Sequence, residues 1–75
     1  MSEFVFGDTC IRIYDDGTEC MYVFLRDVSD DTSECCTFIN NAVFPHDKIL
    51  LRDLRQFFHF RQTNVVVHKV IKMER

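Results

Sequence analysis

The sequence has little glycine and proline, with two glycines and one proline in 75 residues. Disordered tails and flexible linkers are usually rich in such residues and poor in large apolar side chains, so this composition excludes both classes. Gly7 and Gly17 fall at predicted turns, which leaves no glycine-rich loop to hold a phosphate group. No apolar run approaches the ~20 residues that cross a bilayer. The start, Met1-Ser2-Glu3, lacks the basic residues of a secretory signal peptide.

Metal-binding and catalytic patterns are missing as well. Structural zinc sites draw their ligands from close pairs such as C-x2-C, whereas the four cysteines are separated by nine, fourteen and zero residues: Cys10, Cys20, Cys35 and Cys36. The residue types for nucleophilic catalysis are present, but a chain of 75 residues leaves little room for a substrate cleft. We therefore predict no enzyme activity, no catalytic residue, no metal and no cofactor.

The cysteines also indicate the compartment. Four cysteines without a signal peptide are typical of reduced thiols in an intracellular protein, cytoplasmic or nuclear. Cys35 and Cys36 are adjacent, so in a strand they point to opposite faces and do not readily pair with each other. We predict that all four thiols are free and behave as small apolar side chains.

Large apolar side chains are abundant for so short a chain. Hydrophobic residues make up 47 % of the sequence, with eight phenylalanines and two tyrosines. One small domain spanning residues 1–75 buries only about 60 % of the surface that its unfolded chain exposes. Some of the phenylalanines are therefore predicted to lie at an interface with a second chain.

The net charge of −3 conceals two halves of opposite sign. Residues 1–34 contain nine acids and two bases, a balance of −7, and residues 35–75 contain three acids and seven bases, a balance of +4. The halves either neutralise each other within one fold or form one acidic and one basic surface. The second arrangement would let the basic surface of one copy meet the acidic 27–34 segment of the next copy.

Residues 47–61 show the clearest periodicity in the chain and predict one amphipathic helix. Its apolar face recurs at spacings of three and four residues and comprises Leu50, Leu51, Leu54, Phe57 and Phe58. Pro45 disfavours helix at the residue before it, Asp47 can cap the first turn, and Asn64 can close the last turn in a left-handed conformation. The opposite helix face carries a basic row, Lys48, Arg52, Arg55 and His59.

Thr9–Tyr14 and Glu19–Leu25 flank Asp15-Asp16-Gly17 and predict a β-hairpin. A two-residue turn would place Cys20, Tyr22 and Phe24 beside Ile11 and Ile13. A three-residue loop with Gly17 in the left-handed conformation would instead place Met21, Val23 and Leu25 there. We favour the second register, because it gives a purely aliphatic inner side and leaves Arg12 and Tyr14 outside.

Two further strands complete the predicted fold, Cys35–Ile39 and Val65–Ile71. The order β-β-β-α-β predicts an α+β domain: a small mixed or antiparallel sheet with the amphipathic helix on one face. This order has the outline of a ubiquitin-like roll.

Two surfaces are predicted to bind a partner. The basic row is either the solvated face of the helix or, because its like charges repel mildly, a site for an acidic partner with Ile49 and Phe60 beside it as anchors. The second surface is the outward side of the hairpin, which is unusually apolar for one that meets water and comprises Cys20, Tyr22 and Phe24.

The sequence therefore predicts a non-enzymatic interaction module or adaptor that binds another protein, a second copy of itself included. The alternative hypothesis is nucleic-acid binding through the basic row together with Lys69, Lys72 and Arg75. Twelve acids against nine bases count against that alternative, since nucleic-acid-binding domains are usually strongly basic. Nothing in the sequence points to a membrane.

Overall fold

The computed structural model describes residues 3–44 and 46–74, which form a six-stranded antiparallel sheet and one helix. The elements are β1 Thr9–Tyr14, β2 Glu19–Asp27, β3 Thr32–Ile39, β4 Ala42–Val43, β5 Asp47–Leu50, α1 Leu51–His59 and β6 Val65–Ile71. The strand order is β4-β3-β2-β1-β6, and β5 pairs with the other half of β3. The α+β class with an antiparallel sheet is confirmed. Strands β4 and β5 are additions to the predicted order, and the ubiquitin-like outline stays a prediction.

The hairpin of β1 and β2 has the predicted three-residue loop. The Tyr14 amide donates to the Thr18 carbonyl at 2.8 Å, and Gly17 has φ +90°, a conformation that favours glycine. Ile11 consequently pairs with Met21. The predicted register is therefore confirmed, and it determines which side chains share a face of the sheet.

The prediction of which face is buried is wrong. The helix covers the face that carries Cys10, Arg12, Tyr22 and Phe24, which we call the inner face. The aliphatic residues predicted to be buried lie on the opposite, outer face, and include Ile11, Ile13, Met21 and Val23. The inner face supplies the larger, aromatic side chains that reach the helix. The buried apolar core comprises Phe4, Cys10, Phe24, Cys35, Leu54 and Phe58.

The helix begins four residues later than predicted. Asp47–Leu50 pairs with β3 as a strand, which satisfies backbone groups along one edge of the sheet. The same strand directs Ile49 against the core. The helix starts at Leu51, whose amide donates to the Asp31 carbonyl at 2.6 Å. Pro45, which we expected to set this boundary, lies outside the described residues.

The helix also ends earlier than predicted, at His59. Phe60 is already extended, with φ −117°, and its amide donates to the Gln56 carbonyl at 3.0 Å. Asn64 is not left-handed: among the described non-glycine residues only Asn40 and Asn41 have positive φ, at 49° and 67°. These two asparagines form the tight turn from β3 to β4. Two consecutive left-handed residues are what a type I′ hairpin turn requires.

The segment before β1 is part of the core. Phe4 packs between Phe24 and Phe58, with ring centroids 5.6 and 4.7 Å away. The Asp8 carboxylate is fully buried and accepts the amide of Val5 at 3.1 Å and the amide of Met73 at 2.8 Å. The first and last described segments are therefore held together through one side chain.

Candidate protein-binding surfaces

The predicted basic row is divided between two elements. Lys48 lies in β5, opposite Glu34 on the outer face. Arg52 is well exposed on α1, with its Nε 3.4 Å from the Asp53 carboxylate. Arg55 and His59 share one acid from outside the helix, Glu3. The row is therefore not one continuous cationic surface.

Glu3 is the acid that pairs with the helix. Its carboxylate oxygens lie 2.5 Å from Arg55 Nε and 3.0 Å from His59 Nε2. Partial burial raises the pKa of Glu3, but the hydrogen bonds and charges of Arg55 and His59 outweigh it, so the pKa is lowered from its ordinary value. The pairs favour the folded state above the ordinary pKa of a glutamate and lose that effect as the pH falls. Glu3 therefore relieves the predicted repulsion between Arg55 and His59 from a position distant in sequence.

The two predicted apolar anchors beside the row have different environments. Ile49 packs against the core. Phe60 follows the helix and is 65 % exposed. Of the two, Phe60 alone keeps most of its surface available for a partner.

Cys20, Tyr22 and Phe24 lie on the inner face, not on a face that meets water. Phe24 is buried, and Tyr22 stacks on Phe57 with ring centroids 4.2 Å apart. Burial is the main cause that raises the pKa of Tyr22. The helix, which we expected on the other side of the sheet, occupies the surface we had predicted for self-association.

Arg12 is the residue that sequence reasoning misplaced most clearly. It is 3 % exposed, and its Nη2 donates to the carbonyls of Gln56 at 3.0 Å, Phe57 at 2.8 Å and Phe60. Its guanidinium carbon lies 4.4 Å from the centre of the Phe57 ring. The carbonyl end of a helix is its negative end, which favours a cation there. Arg12 therefore binds the carbonyl groups at the end of α1 and is not a surface residue.

His68 completes this buried polar group. Arg12 Nε donates to His68 Nδ1 at 3.1 Å, so Nδ1 is an acceptor in this arrangement. The hydrogen then lies on Nε2, which is 3.0 Å from the Phe58 carbonyl and donates to it. A hollow of about 540 Å3 lies alongside, lined in part by Arg12, Tyr22 and Phe57. Because Arg12 Nε and Nη2 already donate hydrogen bonds within the protein, this hollow is a poor site for an anionic ligand.

The outer face carries a row of apolar side chains across four adjacent strands. Val43, Phe38, Met21 and Ile11 are successive cross-strand partners in β4, β3, β2 and β1. Each is at least partly exposed, and Val43 is 68 % exposed. A hollow of about 410 Å3 is lined by Ile11, Met21 and Phe38, among others. Within residues 3–44 and 46–74 no helix or strand packs over this face.

Charges of both signs surround this apolar row. Arg26 and Glu34 form an ion pair at 3.0 Å, and Lys48 is the partner of Glu34 in the next strand. At the opposite end, Glu19 lies beside Ile13 across the hairpin, and Lys69 lies beside Ile11. An apolar centre with a mixed polar rim is the usual anatomy of a protein interface.

The residues of the nucleic-acid alternative are not gathered on one surface. Lys69 lies on the outer face, whereas Lys72 Nζ is 4.0 Å from the buried Asp8 carboxylate and 4.8 Å from the centre of the Phe4 ring. Arg75 lies outside the described residues. This placement gives no support to a nucleic-acid site.

The four thiols are free and fall into two classes. Burial raises the pKa of Cys10 to about 11 and that of Cys35 to about 12. Cys20 and Cys36 are half-buried, on the inner and the outer face respectively. Because the thiolate is the reactive form, Cys10 and Cys35 are protected both by burial and by protonation.

We expect iodoacetamide at mildly alkaline pH to modify Cys20 and Cys36 well before Cys10 and Cys35. Peptide mass spectrometry of samples quenched at successive times measures the four rates separately. Unfolding in urea should make the four rates similar, which is the internal control. Similar rates in the folded protein would show that Cys10 and Cys35 are not protected by burial.

The described residues contain no group of three or more His, Cys, Asp or Glu side chains arranged to hold a metal ion. Over the same residues, no helix has the length and apolar character needed to cross a membrane. No protein-family model matches the sequence, and no curated protein or solved structure matches the chain. The surfaces themselves are therefore the basis for a functional proposal.

Proposed function

We propose that this protein is a non-enzymatic interaction domain that binds a second copy of itself through the outer face of its sheet. The observation that supports this most directly is the partly exposed apolar row of Ile11, Met21, Phe38 and Val43. Contact of such a row with water is unfavourable by about 25 cal/mol per Å2 of apolar surface. A covering partner relieves that cost.

The size of the face suits a weak, reversible dimer. Five strands about 4.8 Å apart, each contributing roughly six residues of about 3.3 Å, give a face of roughly 20 by 20 Å. Two such faces together bury on the order of 1,000 Å2, near the lower limit for a specific interface. Because docking also costs entropy, we expect an affinity in the micromolar range.

The rim favours a second copy as the occupant. Acids and bases both border the apolar row, so one copy rotated about a two-fold axis can set its Glu19 against Lys48 or Lys69 of the other. A strongly acidic or basic partner would find only part of this rim complementary. We propose this dimer in place of a head-to-tail contact between the basic row of one copy and the acidic 27–34 segment of the next, because Arg55 is already paired with Glu3.

We expect Met21→Glu to abolish the dimer, because it places a charge in the centre of the buried row. Light scattering from micromolar to millimolar concentration should show the wild type rising from a mass of 9.0 kDa towards twice that value. The rise should persist at high salt, since apolar burial is not screened. Gln56→Glu, an equal change of charge on the exposed side of α1, is the matched control and should behave as wild type.

Circular dichroism establishes that both variants are folded. A wild-type mass of 9.0 kDa at every concentration and both salt levels would overturn the proposal. A dimer that survives Met21→Glu in the folded state would overturn the choice of face.

A further inference from the structure

The outer edge of β6 is open. Among residues 3–44 and 46–74, β6 is the last strand on its side of the sheet and pairs with β1 alone. Its seven residues, Val65–Ile71, include no glycine or proline, and Val66, Val67 and Ile71 are 55 %, 40 % and 42 % exposed. In the part of the chain that the structure describes, no other strand pairs with this edge. Long, uncovered apolar edge strands are templates for another strand.

The register shows which backbone groups of β6 point outwards. Tyr14 bonds to Thr18 on the β2 side, and alternate residues of a strand bond to opposite neighbours. Ile11 therefore directs its backbone groups towards β6, where its partner is Lys69. The N–H and C=O groups on either side of Lys69, those of His68 and Val70, consequently point away from the sheet.

One end of this edge is already occupied. The Arg61 guanidinium donates to the carbonyls of Val65 at 3.1 Å and Val66 at 3.2 Å. The open stretch is therefore the second half of the strand, from His68 onwards. This stretch is long enough to align a short segment through the outward N–H and C=O groups of His68 and Val70.

Charge distinguishes the possible occupants of this edge. The 65–72 stretch contains Lys69 and Lys72 and no acid. Antiparallel pairing with β6 of a second copy, centred on Lys69, would place the two Lys69 side chains opposite each other, and like charges across strands are destabilising. A segment with a carboxylate opposite Lys69 would form a favourable charge pair, whereas a second copy would place a like charge there.

We propose that the edge of β6 binds an extended acidic segment of a partner protein, which adds to the sheet as a further antiparallel strand. Backbone hydrogen bonds to His68 and Val70 supply the alignment, as in other β-strand additions. On the outer face the order Val67, Lys69, Ile71 calls for a segment of the pattern apolar-x-acid-x-apolar. The backbone groups of this site point away from the edge of the sheet, whereas Lys69 also borders the face proposed for the dimer.

The test uses a synthetic peptide of that pattern, fluorescently labelled threonine–valine–threonine–glutamate–threonine–valine–threonine, with the full chain. Fluorescence anisotropy should give saturable binding, about fivefold weaker for the peptide with lysine in place of glutamate. Lys69→Glu should reverse the preference of the protein between the two peptides. Lys48→Glu, the same change at the opposite edge of the sheet, is the control and should leave the preference unchanged. Met21→Glu, designed against the dimer, should bind like wild type.

Amide chemical shifts locate the peptide. We expect the largest changes at His68 and Val70. No binding of the glutamate peptide at millimolar concentration would overturn the proposal. Shift changes confined to Ile11, Met21 and Phe38 would do the same, because the peptide would then lie on the face and not at the edge. An unaltered preference in folded Lys69→Glu would also contradict it.

Discussion

Arg12→Met should reduce the free energy of unfolding by about 3–5 kcal/mol, because it leaves several acceptors of one buried group without that donor. Methionine fills much of the space but donates no hydrogen bond. The Phe60 carbonyl and Nδ1 of His68 would then lose the donor that Arg12 provides, and the Phe57 carbonyl would keep the weaker Cys10 thiol at 3.3 Å. Each unsatisfied buried group costs about 1–3 kcal/mol before the structure relaxes. Small domains have a total stability near the lower end of 5–15 kcal/mol, so much of the protein would unfold.

Urea denaturation followed by circular dichroism measures this loss. Arg61→Met is the matched control, because Arg61 also donates to two carbonyls but is exposed. Its cost should stay near 1 kcal/mol. Equal midpoints for the two variants would show that the burial of Arg12 carries no special stability.

Leu54→Ala should cost about 2–5 kcal/mol, since the side chain is fully buried between helix and sheet. The loss combines the transfer of the removed methyl groups with the cavity they leave among Phe4, Phe24 and Phe58. In a domain this small the expected result is a large fall in the melting temperature.

Leu50→Ala provides the comparison for this prediction. Sequence periodicity placed Leu50 and Leu54 on one apolar helix face, but Leu50 ends β5 and is 42 % exposed. Thermal melts at low protein concentration should show a small shift for Leu50→Ala and a large one for Leu54→Ala. A small shift for both would mean that the helix buries a different face.

The elements that were predicted correctly have local signals. The loop at Gly17 follows from a glycine between two alternating runs, and Leu54 and Phe58 are four residues apart on one helical face. Val65–Ile71 has the predicted strand bounds because β-branched residues fill it. These features depend on neighbours in sequence, which is why the sequence was sufficient.

The errors concern partners that are distant in sequence. Arg12 alternates with isoleucines and therefore resembles an exposed residue until the end of α1 is placed beside it, 44 residues later. Asp47–Leu50 resembles a first helical turn until the edge of β3 offers it backbone partners. Both choices depend on partners elsewhere in the chain, and periodicity within one segment does not contain that information.

The predictions of the candidate surfaces were also correct where they depend on neighbours in sequence and wrong where they depend on distant partners. An apolar side of the hairpin with no helix to cover it was predicted, but the wrong side was chosen, so Cys20, Tyr22 and Phe24 were named in place of Ile11 and Met21. The pairing of Arg55 and His59 with Glu3 joins positions more than fifty residues apart. The turn at Asn40–Asn41 was also missed, although two adjacent asparagines are a local signal for a type I′ turn.

The position of β1 between β2 and β6 has a consequence for folding kinetics. The β1–β2 hairpin can form within about 1–10 μs because its strands are adjacent in the chain. Pairing of β1 with β6 joins residues such as Arg12 and His68, which are 56 positions apart, and must first overcome the entropy of closing that loop. Until it does, one side of β1 presents an unpaired edge next to an uncovered aromatic face. Encounters between chains in that interval compete with completion of the sheet, so the yield of native protein depends on the concentration at which the chain folds.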